Sequence, residues 1–255
     1  MSKSNDSIKK TLTVAFLLCL VCAVIVSSAA VALKPLQLAN QELDRRSNIL
    51  VAAGLIQPRE ATRERVNAEF DKIQVKVVDL RTGEFTNEVS PAEYDQLRAA
   101  AEPATSERLA VDPAGIRRLE HFGLVYLVGD LENPDRIIIP VRGSGLWSTL
   151  HGFLALEGDG NTIAGLGFYQ HAETPGLGGE VDNPNWKAQW PGKKVYAADS
   201  MQPQLGLSKN PSQEHEVDTL SGATLTSRGV TNLLQFWAGE RGYGAFLAKF
   251  RQGGV

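Results

Sequence analysis

Hydrophobic and polar positions are unevenly spread along this chain. From Leu12 to Leu33, 22 positions run without a charge (LTVAFLLCLVCAVIVSSAAVAL), with Lys9 and Lys10 before them and Lys34-Pro35 after. A helix over that run covers roughly 30 Å, the thickness of a bilayer's hydrocarbon layer. One membrane crossing is predicted. Ala30-Val31-Ala32 also resembles the cleavage site of a secreted leader. The apolar run is, however, longer than the ~7–15 residues of a leader's hydrophobic region, which favours a retained anchor. Residues 34–72 mix charges with Leu36, Leu43, Ile49, Leu50 and Leu55, are interrupted by Pro58, and read as a helical stalk.

From residue 73 the period changes. Residues 73–80 (IQVKVVDL) alternate in part and predict a strand closed by a turn at Arg81–Glu84. Residues 86–118, rich in Ala, Glu, Pro and Arg, predict helix and loop. Short apolar runs at 123–128, 136–141, 151–156 and 162–171 are separated by Gly, Asn, Asp and Pro, and Glu157–Asn161 reads as a hairpin turn. Loops follow to about residue 210. Val230, Leu233, Leu234 and Trp237 then fall on one face of a helix, and a last short helix is expected over 245–250. The expected class is α+β: a tail (1–11), a transmembrane helix (12–33), a stalk (34–72) and a domain (73–255) with a mainly antiparallel sheet and flanking helices.

Composition narrows the function. With 43% hydrophobic and 22% charged residues, 255 residues can bury a real core. Setting aside Lys3, Lys9, Lys10 and Asp6 of the first 33 residues, the 26 basic and 29 acidic residues become 23 against 28. An acidic outer part does not suit a nucleic-acid backbone, so no such partner is expected. The basic residues nearest the span favour a cytoplasmic N-terminus and place residues 34–255 outside the cytoplasm. Both cysteines, Cys19 and Cys22, lie in the apolar run. The outer part therefore has no disulfide, thiolate zinc site or cysteine-held iron–sulfur cluster of its own. No Gly-x-Gly-x-x-Gly or Walker sequence is present.

The segment with chemical content is Asp218-Thr219-Leu220-Ser221-Gly222-Ala223-Thr224, directly before Leu225-Thr226-Ser227 and the apolar helix. Thr226 or Ser227 is a natural N-cap, and the free amides of a first turn with the positive end of its dipole accept an anion. On residues alone this is equally a plain capped helix with a Ser/Thr-rich approach.

The string resembles the flavinylation motif Asp-x-x-(Ser/Thr)-Gly-Ala-Thr of the FMN-binding domain family, with every specified position filled. That resemblance implies one FMN per chain, covalently held as a phosphate ester on Thr224 and placed there by a flavin transferase acting on FAD. Asp218, Ser221, Gly222, Ala223 and Leu225 would form its surroundings. Two further stretches resemble the family in the same order. Residues 170–179 (QHAETPGLGG) match its His-x-Glu-Thr-Pro-Gly-Leu-Gly loop. There Glu173 and Thr174 would offer polar contacts, and Gly176, Leu177 and Gly178 close approach and packing to a flat ring. Glu173 could equally brace the loop, and His171 could be a strand-end histidine without a cofactor role. Residues 142–148 (RGSGLWS) match a Gly-x-Gly-Leu-Trp turn, with Gly145, Leu146 and Trp147 as candidate contacts. Trp147 either stacks near the flavin or anchors the loop.

Within this family, residues 178–184 and 190–194 resemble the C subunits of Na+-translocating NADH:quinone reductases. The implied role is electron relay inside a bacterial inner-membrane complex that couples NADH oxidation by ubiquinone to Na+ export. Its partners would be the other membrane and flavoprotein subunits and the bilayer. Alternatives are a carrier like the G subunits of Rnf ferredoxin:NAD+ complexes, or a membrane-anchored flavin sensor without turnover. No catalytic acid, base or metal site is expected.

Overall fold

The computed structural model describes residues 7–198 and 200–252; residues 1–6 of the expected tail and residues 199 and 253–255 of the expected domain lie outside them. Two compact units are distinguished, Met1–Asp44 and Arg45–Val255. The first helix, α1 (Ile8–Ala52), continues past Lys34 and through Pro35 instead of stopping at the end of the apolar run. Lys34 marks where hydrocarbon character ends, whereas residues 36–52 are helix-forming enough to carry the helix on. Among the described residues, α1 is the one helix long and apolar enough to cross a membrane, and its apolar side chains from Leu12 to Leu33 are exposed.

In the second unit the end of α1 is part of the core: Ile49, Leu50, Ala52, Ala53 and Ile56 are buried. Residues 45–72, expected as stalk, thus lie within the compact unit. They include α2 (Arg63–Phe70), capped by Thr62, whose hydroxyl accepts the Arg65 N–H at 3.3 Å.

A six-stranded antiparallel sheet follows the order β2 (Glu84–Thr86), β1 (Ile73–Asp79), β5 (Phe122–Gly129), β6 (Pro134–Ser144), β7 (Thr149–Glu157), β8 (Ile163–Gln170). The apolar runs read from the sequence are these strands, and β6 and β7 meet in register from Arg136↔Glu157 to Ser144↔Thr149. Central strands are buried on both sides, so their apolar runs are nearly continuous rather than alternating. On one side Phe70 of α2 meets Tyr126, which meets Phe153, both edge to face. Helix α5 (Thr224–Ala238) packs through its buried Val230, Leu233, Leu234 and Trp237, and the Trp237 indole donates to the Arg142 carbonyl at 2.7 Å.

Residues 86–118 contain more than the helix and loop expected. Besides α3 (Gln96–Ala101), Ser106–Arg108 (β3) pairs with Arg118–Glu120 (β4). Three-residue strands are too short to show a period. The same holds for β9 (Gly206–Ser208) and β10 (Glu216–Asp218), which pair in parallel just before the candidate motif. A short α4 (Pro184–Lys187) and a final α6 (Gly244–Arg251) complete the unit.

Candidate functional site

Two of the family-like stretches and the first turn of α5, which follows the third, meet at one carboxylate. Glu173 is 5% exposed and lies in the loop after β8. Its Oε1 accepts the N–H groups of Trp147 at 2.9 Å and Ser148 at 3.3 Å, and its Oε2 accepts the Leu146 N–H at 3.2 Å. The Thr226 hydroxyl, from the first turn of α5, donates to Oε2 at 2.5 Å. Burial alone would raise the Glu173 pKa, but these donors outweigh it and hold the carboxyl below its ordinary value. One side chain thereby joins the turn after β6, the loop after β8 and the start of α5.

Two glycines are explained by that carboxylate. A Cβ on Gly145 would stand 2.5 Å from Glu173 Oε1, and one on Gly178 would stand 2.6 Å from both Glu173 Oε2 and Thr226 Oγ1. The loop around Glu173 is pinned further. His171 Nδ1 accepts the Glu173 N–H at 3.2 Å and its Nε2 is 2.8 Å from Asp182 Oδ2. The Ser148 hydroxyl accepts the Ala172 N–H at 2.7 Å. The Thr174 carbonyl accepts from Leu177 and Gly179, making the turn that carries Pro175 and Gly176 outward. His171 braces this loop.

The structure departs from sequence reasoning at the start of α5. Neither Thr226 nor Ser227 is the N-cap: the helix begins at Thr224, with Ala223 before it and no side-chain cap. Both expected caps are buried in the first turn and used elsewhere, Thr226 on Glu173 and Ser227 through an Oγ that accepts the Leu220 N–H at 3.0 Å. That bond and the Leu220 carbonyl, which accepts from Ala223, fold residues 220–223 into a turn, with Gly222 at φ +70°. Thr224 therefore sits at the first helical position with its side chain exposed, beside exposed Ser221 and Gly222. The amides of Thr224, Leu225 and Thr226 have no upstream carbonyl within the helix.

Exposed apolar side chains occur in all three segments. Leu225 is 54% exposed, Leu177 44%, Leu146 46% and Trp147 69%, so Trp147 does not anchor its turn by burial; Glu173 holds that turn through the backbone. Leu177 adjoins the Thr224 turn, because a Cβ on Gly222 would lie 2.9 Å from its Cδ2. Asp218 is held through its backbone: its N–H donates to Gln189 at 3.0 Å and its carbonyl accepts the Trp186 indole at 2.9 Å. Among the described residues no side-chain bond joins Asp218 to Thr224. The sequence does not single out Thr226, Ser148 and Ser227 for these roles, since hydroxyls in a Ser/Thr-rich stretch carry no mark of their partners. Among the described residues no cluster of potential metal ligands is found.

The same stretch is matched by the FMN-binding domain family, over residues 145–239. The C subunit of the Na+-translocating NADH-quinone reductase of Pseudomonas aeruginosa is 52% identical over 98% of both chains. That of Vibrio parahaemolyticus is 46% identical over 100% of both. Among solved structures, Shewanella oneidensis NqrC superposes with a TM-score of 0.71 at 31% identity, covering 83% of this chain and 97% of that one. The C subunit from Parabacteroides distasonis superposes at 0.66 and 26% identity, covering 84% and 96%. The sequence likeness runs along nearly the whole chain and the fold likeness over most of it, and the chain, an N-terminal apolar helix followed by a mostly antiparallel FMN-binding domain, belongs to the family of C subunits of Na+-translocating NADH-quinone reductases, an oxidoreductase complex.

Proposed function

We propose that this chain carries a single FMN as a phosphate ester on Thr224 Oγ1 and relays electrons within its complex. The observation that carries the reading is the position of Thr224: exposed, first in α5, followed by exposed Leu225, and next to the Gly222 turn against which exposed Leu177 lies. These residues fit the group. The free first-turn amides and the helix dipole suit a phosphate, and the apolar side chains suit a flat ring. Forming the ester joins Oγ1 to the phosphorus of the FMN half of FAD, releases AMP and gives up the hydroxyl proton; a flavin transferase would catalyse it. When bound, the flavin supplies reversible electron uptake and release. The chain's own contribution is to hold the three loops rigid through Glu173 and to leave the rim open to redox partners.

The apolar span of α1, with Lys9 and Lys10 just before it against Lys34 alone just after it, supports a single crossing of the bacterial inner membrane with the N-terminus inside and the flavin domain on the periplasmic side. Electron flow from NADH to ubiquinone would be coupled to Na+ export by the complex as a whole.

The test is co-expression of the full chain with a flavin transferase. A fluorescent band should survive denaturing electrophoresis, and the peptide containing residues 215–228 should gain the mass of FMN less one water. Thr224→Ala should abolish both. A fluorescent band persisting in that variant refutes the assignment.

A further inference from the structure

A cavity of about 490 Å³, open to solvent, lies beside the β3–β4 hairpin and is lined by Arg108, Leu109, Asp112, Arg117 and Arg118. Its charge is unbalanced. Arg108 and Arg118 are direct cross-strand partners, a like-charge juxtaposition that costs stability in an antiparallel pair. Arg118 reaches the Ser106 hydroxyl and carbonyl, at 2.8 and 2.6 Å, and so gains no counter-charge. Asp112 is the single acid among the lining residues, and both of its oxygens accept backbone amides, Ile116 at 3.0 Å and Arg117 at 2.6 Å. The nearby Glu107 pairs with Arg241 and Glu120 with Arg142, so neither offsets the excess. Three guanidiniums and one carboxylate leave a local charge of about +2 on an otherwise acidic outer part.

Backbone strain marks the same place. Arg117 has φ 66°, and among the described residues it is the one non-glycine residue with positive φ. A left-handed conformation costs a bulky residue free energy, and glycine would meet the geometry without that cost. Packing does not account for the arginine, because its side chain is exposed. The loop is nevertheless fixed: Asp112 accepts two of its amides, and the Arg117 carbonyl accepts the Leu109 N–H at 3.0 Å. A prebuilt loop that holds a strained cation beside two others has the form of a recognition site.

We propose that this pocket binds a dianionic oxyanion, a phosphate monoester or inorganic phosphate, with the forks of Arg108 and Arg117 taking the oxygens and Arg118 flanking them. A phosphate monoester matches the local +2 charge, whereas the phosphodiester of a lipid headgroup supplies a single charge. The pocket shares no residue with the candidate flavin contacts, although its loop meets the turn before Gly145 through the Ser144 hydroxyl, which donates to the Gly115 carbonyl at 3.1 Å, and the proposal does not depend on flavin attachment.

The test is calorimetric titration of the full chain in detergent at low ionic strength, with inorganic phosphate and with dimethyl phosphate. Inorganic phosphate should bind saturably, one per chain, and more tightly than the diester. Arg108→Gln and Arg117→Gln should each weaken it by about 10-fold or more while leaving flavin fluorescence at Thr224 intact. Arg117→Gly should lose the same binding yet raise Tm, since the strain is relieved. Equal binding of the diester, unchanged binding in either Gln variant, or a Tm of Arg117→Gly at or below that of the parent chain would overturn the proposal.

Discussion

Replacing Glu173 by Gln removes the charge at the junction of the three loops while keeping its size. The amide oxygen is best placed where Oε1 now accepts from Trp147 and Ser148, which turns the amide nitrogen toward the Leu146 N–H and the Thr226 hydroxyl. Thr226 can rotate and accept. The Leu146 amide cannot. Each of the two retained bonds loses its charge assistance, about 1 kcal/mol apiece, and the stranded amide costs about 1–3 kcal/mol, for a total of about 3–5 kcal/mol. The opposite amide orientation strands two amides and costs more. Because the folded-state pKa is depressed, this contribution is present above the unfolded value of roughly 4.3 and is lost as pH falls below it through the folded value. The stability difference between the parent chain and Glu173→Gln should therefore be constant from about pH 8 to pH 5 and shrink below about pH 4.3. Urea unfolding of the full chain in detergent, followed by tryptophan fluorescence at each pH, measures it. A difference under about 0.5 kcal/mol at pH 7, or one that does not change on acidification, would refute the assignment of Glu173 as the charged brace.

Two further outcomes follow from the packing of the same compact unit. Glu120→Gln should cost about 3–5 kcal/mol in the same unfolding assay, because Arg142, paired with both Glu120 oxygens at 2.7 and 2.6 Å, would remain buried without its counter-charge; a cost near zero would show that the Trp237 ring beneath Arg142 suffices. Gly165→Ala should cost about 1–3 kcal/mol by pushing a methyl into the Ala52 carbonyl and lifting the end of α1 from β8, and an unchanged Tm would mean that this seat yields freely.

The sheet strands and α5 are legible in the sequence because they are long enough to display a period: four apolar runs correspond to β5 to β8, and the spacing of Val230, Leu233, Leu234 and Trp237 to the buried face of α5. The short pairs β3–β4 and β9–β10 are not, since three residues carry no pattern and pairing is settled by the rest of the fold. At the site, the glycines and Glu173 stand out by family resemblance, but what they do is set by tertiary contacts. Gly145, named among the candidate contacts, and Gly178, expected to let a ring approach, also leave the Glu173 carboxylate the space that a Cβ would take. Thr226 and Ser227 depart from the expected cap role for a related reason. Local rules assign a hydroxyl at a helix start to its own amides, and here a buried carboxylate and the Leu220 turn compete for them.

The openness of the site bears on why an ester would be used at all. On the proposed reading Leu146, Trp147, Leu177 and Leu225, all of them exposed, form a rim for the ring, whereas pockets that retain a small molecule by contact alone bury most of its surface. A shallow apolar surface of this kind would release a free flavin readily, and a domain placed, as proposed, outside the cytoplasm would have little means of recovering it. The proposed bond to Thr224 would remove that constraint, because a short tether would keep the local concentration in roughly the millimolar range however weak the contacts are. The rim can then remain open, leaving ring edges accessible to donor and acceptor. Rigidity comes instead from below, where Glu173 fixes the three loops through backbone amides and the Thr226 hydroxyl without using the side chains that face outward. Attachment, exposure and support thus fall to different residues, and each can be perturbed without the others: Thr224→Ala should remove the flavin and leave stability unchanged, whereas Glu173→Gln should weaken the scaffold and leave the ester in place.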